Sequence, residues 1–136
     1  MSINYKNFKI NAVYTGVKLA PWSGKYENWN HHIITVYNTE NKKRTSFDFW
    51  ASNMKPNIEG NKEEILLAFQ NFLSDGLAGR EDFNSFCWEF GYDTDSIKAF
   101  KTYKACEKST KKLVLLLGNE SYISDLYNDL TEEGYC

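Results

Sequence analysis

Apolar and polar positions change period near the middle of this chain. Phe8 to Leu19 alternates loosely and holds few breakers. Trp29 to Asn38 alternates better, with Trp29, Ile33, Thr35 and Tyr37 on one face and Ile34 and Val36 on the other. Thr39-Glu40-Asn41-Lys42 predicts a turn, and Arg44 to Trp50 returns with Thr45, Phe47 and Phe49 opposed to Ser46 and Asp48. Three strands in succession predict an antiparallel meander whose apolar face needs helices to cover it.

From residue 61 the period becomes helical. Asn61 followed by Glu64 resembles a capping box, and Ile65, Leu66, Phe69, Phe72 and Leu73 form an inward face. Asp75-Gly76 and Gly79 then predict a break. Phe83, Phe86, Cys87 and Phe90 recur at i, i+3, i+4 and i+7, a helix that Gly91 stops. The stretch Tyr92-Asp93-Thr94-Asp95 offers side-chain oxygens to cap the next one. Beyond Ala99, the residues Tyr103, Cys106, Thr110, Leu113, Val114 and Leu117 share one side of a long helix. Lys98, Lys101, Lys104, Lys108, Lys111 and Lys112 share the other side, and Gly118 ends it as a left-handed cap. A last helix, capped by Asn119 or Ser121, turns Tyr122, Ile123, Leu126 and Leu130 inward. The expected fold is α+β: a three-stranded antiparallel sheet followed by about four helices. It forms a single compact domain over 1–136, with a β-meander in 1–50 and a helical part in 61–130.

Composition adds a recognition surface to this picture. Aromatics make up 16% of the 136 residues, more large side chains than so small a core needs. The loop between the first two strands carries Trp22 and Tyr26, with Trp29 at its edge. These either fold back over the open end of the sheet or meet a partner. Trp88 lies roughly 150° around its helix from the Phe83/Phe86/Phe90 face, counting about 100° per residue. If exposed, it is a typical hot-spot residue. A net charge of −2 excludes both a carboxylate-saturated DNA mimic and a generally basic nucleic-acid binder. Charge is nonetheless divided by region, at +4, −6, +5 and −5 over 1–60, 61–97, 98–112 and 113–136. The basic segment is the lysine face, in which Lys101, Lys104 and Lys108 are candidate contacts. It is either a solvated face balanced by acidic helices or a contact for phosphates or an acidic protein.

Candidate chemistry is sparse. His31 and His32 are adjacent on a strand and point to opposite faces, so they do not converge on one metal. Asp93-Thr94-Asp95 begins like a calcium loop, but Lys98 and Lys104 stand where its glycine and its bidentate acid belong. There is no phosphate-cradling glycine motif and no nucleophile elbow. Cys87 and Cys106 fall on apolar helix faces and read as core thiols, while Cys136 is terminal. No catalytic residue, metal or cofactor is expected. With no apolar stretch of signal-peptide or membrane-span length, the expected setting is cytosolic, with reduced thiols and no membrane partner.

The segment Phe83-x-x-Phe-Cys-x-x-Phe-Gly-Tyr-Asp-x-Asp-Ser96, followed by Lys101-x-Tyr-Lys-Ala-Cys106, resembles small open reading frames of tailed phages and prophages. The resemblance covers roughly residues 62–118. It implies a mobile-element origin, a bacterial host cytoplasm and a compact mixed fold. Its context includes anti-CRISPR and other counter-defence proteins. The function so implied is stoichiometric inhibition of a bacterial defence protein or ribonucleoprotein complex. The alternative is a nucleic-acid-binding accessory protein that uses the lysine face, with Trp22 or Trp29 stacking on bases. A small enzyme ranks last.

Overall fold

The computed structural model describes residues 2–20, 28–52, 54 and 57–134. It divides into two compact units, Met1–Ala68 and Phe69–Cys136. The first holds one antiparallel sheet of β1 (Ser2–Tyr5), β2 (Phe8–Leu19), β3 (Asn28–Asn38) and β4 (Lys43–Ala51), in that spatial order. The meander is the expected one, but it has four strands rather than three. β1 is four residues long, too short for alternation to register, and its turn at Lys6-Asn7 contains no glycine although Lys6 takes φ 51°. Asn7 holds that turn in place. Its carbonyl accepts from Thr39 N at 2.9 Å and its Nδ2 donates to Asn38 Oδ1 at 2.7 Å.

Cross-strand register sets the two faces. Ala12, Ile34 and Phe47 stand opposite one another, as do Ile10, Val36 and Thr45. All of these except half-buried Thr45 are buried, together with Ile3, Tyr5 and Phe8. On the other face Val13 and Ile33 remain exposed. Between Tyr14 and Gly16 the register shifts, leaving Thr15 as the extra residue of a bulge and Gly16 at φ 112°.

Helix α1 (Lys62–Ala78) runs from the first unit into the second. Asn61 Oδ1 accepts from Glu64 N at 3.2 Å, one half of the expected capping box. Ile65, Leu66, Phe69, Phe72 and Leu73 are buried as expected. The predicted break falls at Gly79, just after the end of α1, and not at Asp75-Gly76, which lies inside the helix where Gly76 serves packing. A Cβ on Gly76 would stand 2.4 Å from Leu113 Cδ1, and one on Gly79 would stand 2.3 Å from the Cys106 carbonyl oxygen. The gap they leave is bridged by Thr110 Oγ1, which donates to Gly76 O at 2.7 Å.

The rest of the second unit is α2 (Phe83–Phe90), α3 (Ile97–Leu117) and α4 (Ser121–Glu132). Asp82 caps α2 by accepting from Ser85 N at 2.8 Å, and Gly91 closes it at φ 72°. The α3 cap is Ser96, accepting from Ala99 N at 3.1 Å; Asp93 instead closes the preceding turn by accepting from Asp95 N. Gly118 ends α3 at φ 84°. Asn119 Oδ1 accepts from Ser121 N at 2.9 Å at the start of α4. Ile123, Leu126 and Leu130 are buried, but Tyr122 is exposed, against expectation.

Candidate partner-binding surface

Helix α2 is held by an aromatic cluster along one side. The Phe83 ring meets Phe100 edge-on at 5.8 Å and Tyr103 at 5.4 Å, while Phe86 meets Tyr103 at 5.2 Å and stacks on Tyr92 at 5.9 Å. The Tyr103 hydroxyl donates to Glu81 O at 2.6 Å, tying α3 to the turn before α2. Such pairs add directional attraction to plain area burial, so an eight-residue helix with a cap at each end is fixed in orientation. Fixing that side aims the opposite side outward, and Trp88 is there, 90% exposed. An indole left in water forgoes roughly 2–3 kcal/mol of burial, which nothing in this unit recovers.

Beside the same helix lies a recess of about 150 Å³, lined by Ser74, Asp75, Ala78, Phe86, Phe90, Tyr92, Thr102 and Cys106. Phe90, expected in the core, is half-exposed at this recess. Burial and then the charge of Asp75 push the Cys106 thiol up to about 11. Burial first, and Asp93 second, raise Cys87 as well. Both shifts disfavour the thiolate, the form in which a cysteine attacks.

The lysine face stands as expected. Lys101, Lys104 and Lys108 are exposed on the side of α3 opposite buried Cys106, Leu113 and Leu117. Trp29 is half-buried on β3 in the first unit, and Trp22 and Tyr26 lie outside the described residues. Of the expected residues, Trp88 on α2 and the lysines on α3 are exposed in the second unit as two separate features.

One constellation carried no signal in the sequence. His31 Nε2 stands 2.8 Å from Asp48 Oδ1, and its Nδ1 meets Thr15 Oγ1, linking β2, β3 and β4. Hydroxyl, imidazole and carboxylate in series suggest acyl transfer, but the order of exposure is inverted. Such a relay needs its hydroxyl facing substrate and its carboxylate buried. Here Asp48 is the open end, the imidazole is covered by Trp50 at 4.3 Å between centroids, and the hydroxyl also lies 3.2 Å from the His31 carbonyl. The three side chains form a cross-strand clamp. His32, on the inner face, accepts from Ile58 N at 3.1 Å. Among the described residues no three metal-ligating side chains converge, and no helix is long and apolar enough to cross a membrane.

A second carboxylate feature affects stability. With Glu81 and Glu89 both ionised, Glu81 Oε2 is buried without a hydrogen-bond donor. A proton shared with Glu89 supplies one, and this bond, then burial, then the Glu89 charge raise Glu81 above the ordinary carboxylate range. Partial burial raises Asp75 likewise. A carboxyl raised in the folded state contributes stability that is present at acid pH and lost as pH climbs through the raised value. Glu89→Gln keeps a donor and removes the charge. The variant is therefore expected to melt above the unaltered protein near pH 7, with the gap closing as pH falls toward about 4.5. Melting curves across that range check this, and a gap independent of pH contradicts it.

No family model, curated protein or solved structure matches the chain.

Proposed function

We propose that this chain acts by occupying a protein partner, as a stoichiometric inhibitor of a bacterial defence complex. That is the role implied by its resemblance to phage reading frames. The observation that most supports partner binding is the 90% exposure of Trp88 on a helix whose other side is locked in place. Tryptophan anchors dominate protein interfaces because a rigid, mostly apolar ring buries a large area for little loss of side-chain freedom. The recess on the other side of α2, lined mostly by apolar surface, is a separate opening that can take an apolar side chain.

Parallel capture from a bacterial host lysate tests this, using the unaltered protein and Trp88→Ala. A defence protein is expected to be retained by the first and lost from the second, with the melting temperature unchanged. Equal capture of the same proteins by both would remove Trp88 from the interface.

A further inference from the structure

We propose that the outer face of α3 binds single-stranded nucleic acid, with Phe100 as the stacking surface and Lys98, Lys101, Lys104, Lys108 and Lys111 as phosphate contacts. This goes beyond the protein-binding role, rests on different residues and can fail independently of it.

Charge comes first. The five lysines recur at intervals of three or four, so they lie along one stripe of the helix, about 20 Å from first to last at 1.5 Å per residue. All five are exposed. Lys104 pairs with Glu107 at 3.0 Å, whereas Lys98, Lys101, Lys108 and Lys111 have no ion pair among the described residues. An exposed i,i+3 pair contributes under about 1 kcal/mol, so Lys104 is readily redirected to a phosphate. A row of like charges with one internal counter-charge repels itself, and a linear polyanion is the partner that relieves the repulsion along its whole length.

Shape then selects the kind of polyanion. Phe100 is on this stripe, 49% exposed, with its orientation set by the edge-on contact with Phe83. The Lys104 ammonium stands 5.4 Å from the ring centroid and is the movable end of an exposed side chain. A half-exposed aromatic held amid lysines offers a base-stacking surface with a cation beside it, the pairing used by proteins that bind single strands without reading sequence. A duplex offers no free base face to such a ring, and an acidic protein surface gains little from it. The aromatic thus comes from α3 itself, and neither Trp22 nor Trp29 is needed.

Fluorescence anisotropy of a labelled oligothymidylate with the whole chain tests the proposal. Binding is expected at about 50 mM salt, with log K falling against log salt by roughly 0.7 per phosphate contacted, or about 3.5 if all five lysines engage. Replacing Lys101, Lys104 and Lys108 by Gln should reduce that slope by about 2. Phe100→Leu keeps an apolar side chain in the contact with Phe83 and removes the stacking face. It should weaken binding roughly 5- to 100-fold and leave the slope unchanged. Any one of three results overturns the proposal: no binding at low salt, a slope indifferent to the lysine replacements, or equal affinity for duplex or polyglutamate. The last would mean that charge alone is recognised.

Discussion

Gly79→Ala is expected to destabilise the helical unit by about 3 kcal/mol, at the upper end of the range for overpacking. The added methyl would lie 2.3 Å and 2.4 Å from the carbonyl oxygen and carbon of Cys106, and 2.4 Å from Thr110 Oγ1. Two of those atoms are backbone in the middle of a 21-residue helix and cannot rotate away. The segment after α1 must back off from α3, weakening the neighbouring Thr110–Gly76 hydrogen bond. Gly91→Ala is the control. Nothing lies within 4 Å of its new methyl, so the cost is only that of a side chain at φ 72°, about 1–2 kcal/mol. Urea denaturation followed by circular dichroism compares the two. A Gly79→Ala variant that loses less than the Gly91→Ala variant would contradict the close approach of these segments.

The same glycines show where sequence and structure diverge. In a linear pattern Asp75-Gly76 is indistinguishable from a helix stop, since only the partner helix reveals that the missing side chain of Gly76 is filled space, whereas Gly79 does follow the end of α1. Gly91 and Gly118 were legible because their reason is local: each ends a run of helical periodicity and takes the left-handed conformation. The long α3 stripe was legible throughout, from Ala99 to Leu117, because about five turns of contrast between lysine and apolar residues leave one solution. β1 was not, since four residues beside a glycine-free turn carry too little alternation. Of the candidate surface, periodicity turns Trp88 away from the aromatic side of α2, while its 90% exposure depends on the packing around α2, which periodicity does not encode. The Thr15–His31–Asp48 clamp depends on a bulge and on register between three strands, neither of which is written in any one segment.

Trp88→Ala is expected to lower affinity for the partner by at least about 2 kcal/mol, roughly 30-fold, with little change in melting temperature. The two readouts separate because the indole is 90% exposed and contributes almost nothing to the packing of its own unit. A variant that melts well below the unaltered protein would show the ring to be structural, and the proposed surface would be wrong.

The proposed action is occupancy of a target. The most direct measurement is the dose dependence of inhibition, taking a purified CRISPR effector nuclease as the first target and holding it well above the dissociation constant. Nuclease activity is expected to fall linearly and to vanish as this protein reaches one equivalent, with Trp88→Ala shifting the curve to higher dose. Complete inhibition at about a hundredth of an equivalent would mean turnover, since a blocking protein cannot act below its target's concentration, and the account would be contradicted.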